Sequence, residues 1–115
     1  EGLANLESIC KTPGLTGIFI GPADLSYALG LEPRVDNPHP KHIETVKHIV
    51  KVCKGNQLVV GIFGSDPGYL KQAVTWGIQL VVVAADAVLL SQSAKQKLSA
   101  FHNEDEVEPR GKSSY

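Results

Sequence analysis

Hydrophobic positions along the chain switch repeatedly between helical and strand spacing. Leu3, Leu6, Ile9 and Cys10 recur at intervals of three, three and one, one face of a helix, and Pro13-Gly14 supplies its stop. Residues 15–20 (Leu-Thr-Gly-Ile-Phe-Ile) are a short β-branched and aromatic run closed by Gly21-Pro22, the pattern of a buried strand ending in a turn. Asp24 suits the N-cap of a short helix reaching Leu29, and residues 30–39, with Pro33, Asn37 and Pro38, predict a loop over the strand end. Pro40 then opens a long helix through Ile43, Val46, Val50 and Cys53, ended by Gly55-Asn56. Residues 58–63 predict a second strand. Ser65-Asp66-Pro67 opens a helix through Leu70, Ala73 and Val74 to Gly77, residues 79–83 a third strand, and Asp86 a last helix through Val88, Leu89, Leu90, Ala94 and Leu98. Residues 103–115 are polar, charged and broken by proline and glycine, which predicts a disordered tail after a folded portion over residues 1–102.

Each strand is apolar throughout rather than alternating, the signature of a parallel sheet covered on at least one side, so the chain is predicted to be α/β. About 16 residues separate Phe63 from Gln79, enough for one crossover helix, which makes the second and third strands neighbours. Ligands in such folds bind at the carboxyl ends of the strands. Here those ends are the turns at Gly21 to Asp24, Phe63 to Ser65 and Ala84 to Asp86.

Composition narrows the functional classes. The 115 residues are 43% hydrophobic and 20% charged, as in a single globular domain, and the net charge of −1 comes without a basic stripe, so nucleic acid is excluded as a partner. The longest apolar run, residues 80–90, is interrupted by Asp86 and falls short of the roughly 20 residues that span a bilayer, so no membrane segment is expected. Methionine is absent, even at position 1, and the chain opens in the middle of a helical pattern, which reads as a cut chain. Cys10 and Cys53 fall on apolar helix faces, are expected to be reduced core thiols, and point to the cytoplasm.

Gly21-Pro22-Ala23-Asp24-Leu25-Ser26 carries the most chemistry. Glycine and proline fix a tight turn, a carboxylate follows directly beyond a strand end, and a small anion could sit on the N–H groups of Ala23 and Asp24. By spacing alone Asp24 is either a helix cap or a metal or substrate ligand. His39, His42 and His48 invite a metal reading that is rejected; His42, His48 and His102 are expected to be solvent-facing residues of helical segments or the tail. Asp86 either caps the last helix or contacts substrate. Ser26 and Ser65 have no partner base for nucleophilic catalysis, and no dinucleotide-binding or Walker pattern is present.

The string Phe19-Ile20-Gly21-Pro22-Ala23-Asp24-Leu25-Ser26, with Glu1-Gly2-Leu3-Ala4-Asn5-Leu6, Pro13-Gly14-Leu15-Thr16-Gly17-Ile18, Leu29-Gly30, Asn37-Pro38-His39-Pro40, Gly61-Ile62-Phe63, Val83-Ala84-Ala85-Asp86 and Leu89-Leu90, resembles the HpcH/HpaI family of metal-dependent pyruvate aldolases, which are (β/α)₈ TIM barrels. The resemblance implies the C-terminal part of such a barrel, about three parallel strands with intervening helices. It also implies a divalent cation, Mg²⁺ or Mn²⁺, that polarises the ketone of pyruvate and stabilises its enolate for addition to an aldehyde; reversal cleaves a hydroxy-oxo acid. In that frame Asp24 matches one of two metal carboxylates, the backbone at Gly21, Ala23 and Asp24 matches the cradle of the pyruvate carboxylate, and Phe63 matches a pocket-lining position. The family's other metal carboxylate, a glutamate, lies three residues before the position of Glu1. Its catalytic histidine and keto-polarising arginine also lie in the first half of the barrel, and Ala84 stands where glycine is common. The implied function is a fragment of a carbon–carbon lyase acting on small 2-oxo acids and aldehydes, with homo-oligomers as the family's habit. The alternative is a catalytically inactive remnant or interaction module that oligomerises through open sheet edges.

Overall fold

The computed structural model describes residues 1–103; the predicted tail, apart from Asn103, lies outside the described residues. Its elements, in chain order, are α1 (Leu6–Cys10), β1 (Gly17–Ile20), α2 (Pro22–Ala28), α3 (Pro40–Gly55), β2 (Val59–Phe63), α4 (Pro67–Trp76), β3 (Leu80–Val82) and α5 (Asp86–Asn103). Glu1–Ala84 forms one compact unit, and a second, containing α5, begins at Ala85.

Local chemistry accounts for the boundaries. Pro40 and Pro67 each stand in a first helical turn, where a missing N–H costs nothing, behind the N-caps His39 and Asp66. His39 accepts from Lys41 N at 3.2 Å through Nδ1, and Asp66 accepts from Tyr69 N at 2.6 Å. Gly77, with φ of 106°, ends α4 in the left-handed region open to glycine. β1 begins at Gly17 rather than at Leu15 because Leu15 closes a turn onto Thr12 O at 3.2 Å, with Gly14 left-handed at φ 82°. One capping expectation is corrected: Gly21 is the N-cap of α2, Pro22 follows it, and Asp24 lies inside the first turn without a side-chain capping bond. The proline fixes the helix start two residues before the carboxylate.

The three strands form a parallel sheet in the order β1-β2-β3. Ile20 pairs with Ile62, Gly61 with Leu80 and Phe63 with Val82, so all strands end on one side. One face of the sheet is covered. Ile20, Val60 and Ile62 pack with Val46, Ile49, Val50 and Cys53 of α3 and with Leu70 and Ala73 of α4 in the buried core. Cys10 joins it from α1, its Sγ 3.8 Å from that of Cys53; both thiols are free and buried, as expected. Burial, then the Cys10 hydrogen bond and charge, push the Cys53 thiol up to about 11.

The other face is bare. A Cβ at Gly61 would lie 2.7 Å from Phe19 Cδ2 and 3.3 Å from Leu80 Cδ2, which puts both side chains on that side of the sheet. Phe19 and Leu80 are each 53% exposed. Among the described residues β1 and β3 each pair only with β2, leaving two open edges. This is an α/β arc of three strands, short of closure: a barrel needs enough strands for tilt and stagger to close the circle, and its inner face is then a packed core. No described helix is long and apolar enough to cross a membrane.

Candidate functional site

The turn after β1 is built around a carbonyl and a carboxylate. Gly21 is extended at φ −86° and ψ 103°, and a Cβ there would come 2.8 Å from Asp24 Oδ2. The carboxylate is therefore folded back over the glycine, and any side chain at position 21 would displace it. Asp24 is exposed, whereas the residues anchoring its turn are not. Ser26 is fully buried and donates from Oγ to Pro22 O at 2.8 Å. His42, on α3, reaches the same carbonyl with Nε2 at 3.2 Å, so two side chains fix the first residue of α2.

His42 corrects the sequence expectation for the histidines. His39, His48 and His102 are exposed, but His42 is wholly buried, and its Nδ1 has no hydrogen-bond partner among the described residues. It continues the apolar stripe of α3, one turn before Val46, and its surroundings favour the neutral ring. Burial lowers its pKa, opposed by the bond to Pro22 O and aided by the nearby His39. The folded value therefore lies below that of the unfolded chain, so the unfolded state takes up the proton first and stability falls as pH drops below about 6.5. In urea titrations at about pH 7.5 and pH 5.5, His42→Gln should show a smaller acid loss than the parent, because a neutral amide can donate to Pro22 O without titrating. Equal acid losses would contradict this placement.

A second cluster lies at the end of β2. Asp36, left-handed at φ 54°, accepts from Ser65 N, Ser65 Oγ and Asp66 N through Oδ2 at 2.9, 2.6 and 2.9 Å. Beside it the Tyr69 hydroxyl is buried without a partner among the described residues; burial, and then the Asp36 charge, push it up to about 12. Nothing in the sequence marks Asp36, since an acidic residue in a polar loop carries no local signal of a contact 29 residues away.

Gly21 and Asp24 line one groove of about 460 Å³ along the open edge of β1, bounded by Leu6 and Ile9 of α1 and by Leu25 of α2. Ala23 stands beside Asp24 in the first turn of α2, where N–H groups have no intrahelical acceptor. Phe63 ends the neighbouring strand, half-buried, outside the lining of that groove. Glu1 and Asp24 both border it, but among the described residues no group of three or more His, Cys, Asp or Glu side chains could hold a metal ion. Asp24 supplies one hard oxygen donor, not a complete ligand set. In the second unit, the exposed Asp86 accepts from Ala87 N at 2.7 Å through Oδ1 at the start of α5.

A parallel β/α arc with a carboxylate-bearing turn at the strands' carboxyl ends is an arrangement shared with β/α barrels, whose sites lie at that end. Residues 1–93 match the HpcH/HpaI aldolase/citrate lyase family, and the chain belongs to it. It is 32% identical over 113 residues to the 2-keto-3-deoxy-L-rhamnonate aldolase of Klebsiella pneumoniae, covering 98% of this chain and 41% of that one. Its 32% identity with the hydroxypyruvate/pyruvate aldolase of Rhizorhabdus wittichii spans 99 residues, 86% of this chain and 39% of that enzyme. Among solved structures it is similar to an HpcH/HpaI aldolase/citrate lyase family protein of Burkholderia cenocepacia, with TM-score 0.78 and 31% identity, covering 88% of this chain and 38% of that one. The citrate synthase SbnG, at 20% identity and TM-score 0.80 over 93% of this chain and 43% of its own, shares the fold. The chain thus spans about two fifths of the length of the curated relatives it matches.

Proposed function

We propose that residues 1–93 form one wall of a metal-dependent aldolase active site acting on 2-oxo acids. The observation that carries this is the Asp24 carboxylate, exposed and folded over Gly21 at the end of β1, in a chain whose relatives are aldolases. Asp24 would donate one oxygen ligand to Mg²⁺ or Mn²⁺, hard cations that take carboxylates. When bound, such a cation would polarise a 2-oxo acid ketone and favour making or breaking the adjacent carbon–carbon bond. The chain's own part is positional. The first-turn N–H groups at Ala23 and Asp24 and the open backbone of Gly21 would receive the substrate carboxylate, and Phe63 would close the pocket from the neighbouring strand end. The buried His42 and Ser26 would hold the turn still while its ligand changes charge.

Among the described residues no group of three or more His, Cys, Asp or Glu side chains could hold a metal ion, so the purified chain is expected to bind Mn²⁺ weakly and to turn nothing over. Paramagnetic broadening detects such weak binding. With Mn²⁺ on the order of millimolar, the amide signals of Gly21, Ala23, Asp24 and Leu25 should broaden selectively, and Asp24→Ala should abolish the effect. The substitution should shift stability by less than about 0.5 kcal/mol, because the side chain is exposed. Broadening that survives in Asp24→Ala, or that centres elsewhere, would sink the assignment.

A second reading rests on the bare sheet face and the two open edges: an interaction module whose copies pair strand to strand. The cytoplasm suits either reading, as the compartment that keeps Cys10 and Cys53 reduced.

A further inference from the structure

We propose that Asp36 and Asn37 are positioning residues, forming a strap that ties the Asp24 turn to the Phe63 turn and so sets the spacing of any ligand held between the two strand ends. The inference takes those turns as the binding site, as argued above, but its observations are independent of any ligand.

Ile20 and Ile62 are paired in register, so Gly21 leaves the sheet beside Phe63, which remains paired with Val82 of β3. The β1–β2 ladder stops there; the Phe63 turn stays tied to β3, with Gly64 N donating to Val82 O at 2.9 Å, but no strand bond joins it to the Gly21 turn. The loop between α2 and α3 supplies the link. Asn37, 4% exposed, donates from Nδ2 to the buried Ser26 Oγ at 2.9 Å, and that hydroxyl passes its own proton to Pro22 O at 2.8 Å, two residues before Asp24. The adjacent residue reaches the other way: the Asp36 carboxylate takes three donors from Ser65 and Asp66, directly after Phe63-Gly64. Left-handed backbone at Asp36 lets two consecutive side chains serve two different turns, and Asn37 Oδ1 steadies the loop by accepting from His39 N at 3.0 Å. Gly64 completes the fit, since a Cβ there would lie 2.8 Å from Asp36 Oδ1 and 2.5 Å from Leu70 Cδ2.

Two separate local bonds would each matter only to the turn they touch; a strap transmits. Each half can be cut without straining the loop. Asp36→Gly removes the acceptor while keeping the left-handed backbone open, and Asn37→Asp keeps the acceptor for His39 N while losing the donor to Ser26. Hydrogen exchange and amide chemical shifts of the 115-residue chain then read both turns at once. Asp36→Gly should speed exchange at Ser65 and Asp66 roughly tenfold or more and also displace the amide signals of Ala23 and Asp24. Asn37→Asp should displace those of Ser65 and Asp66 as well as its own neighbours. Asp36→Asn, which returns one acceptor oxygen, should restore much of the parent pattern. Perturbations confined to the mutated side, or no rescue by Asp36→Asn, would overturn the strap. Should Asp36→Gly fail to fold, Asn37→Asp alone decides. Mn²⁺ broadening separates this from the site assignment. If the parent chain's selective broadening at Ala23 and Asp24 persists undiminished in both variants, the site stands and the strap does not; if the parent shows none while the cross-turn shifts occur, the strap stands and the site does not.

Discussion

Ile62→Ala is expected to destabilise the chain by about 3–4 kcal/mol, near the middle of the range for emptying a buried aliphatic site. Ile62 lies on the central strand, is fully buried, and touches the core that β2 shares with α3 and α4. The surrounding groups are anchored from two directions, by the sheet and by the helices, and cannot collapse into the space left behind. With total stabilities of small domains at about 5–15 kcal/mol, a loss of that size removes a large share of the folded population's margin. Leu80→Ala is the matched comparison: the same sheet, a similar side chain, the opposite face. It is 53% exposed and should cost less than about 1 kcal/mol. Urea unfolding of the two variants gives the difference directly, and equal losses would contradict the division into one packed and one bare face.

That division was half legible in the sequence. Continuous apolar runs at residues 58–63 and 80–83 predict parallel strands, and the single-helix spacing between Phe63 and Gln79 predicts neighbours; both hold in the β1-β2-β3 order. What the runs could not reveal was which face is covered. Val60 and Ile62 are buried while Val59 and Leu80 are substantially exposed, although all four are aliphatic. Apolar character marks a residue for burial somewhere, and the choice belongs to whatever strands and helices complete the layer.

The same limit applies to the site. The turn from Gly21 to Asp24 was visible because glycine, proline and a carboxylate leave a local signature. Polar residues on helices usually face solvent, which is the expectation for His42, yet its spacing to Val46, Ile49 and Cys53 puts it on the buried stripe, a signal that helical periodicity already contains. By spacing Asp24 suits a helix cap as well as a ligand; the proline two residues earlier starts the helix before it and removes the capping alternative. Asp36 and Asn37 had no local signal, since their partners lie 29 and 11 residues away. Contacts of that kind are made by topology.

The central proposal is that Asp24 is a metal-ligating carboxylate in one wall of an aldolase site. The proposal rests on the uncovered sheet face, the open edges and the lack, among the described residues, of any group of three or more metal-ligating side chains. Removing a direct carboxylate ligand should forfeit the polarisation it supports, several kcal/mol of transition-state stabilisation, which is on the order of a thousandfold in rate or more. The most direct measurement places residues 1–93 in a complete barrel, by exchanging them for the matching segment of the Klebsiella pneumoniae 2-keto-3-deoxy-L-rhamnonate aldolase, and follows pyruvate release with Mn²⁺ present. The account predicts an active chimera whose kcat/KM falls at least about 10³-fold in Asp24→Ala while the protein stays folded, a loss of about 4 kcal/mol. An active, folded chimera in which Asp24→Ala leaves pyruvate release unchanged would contradict it.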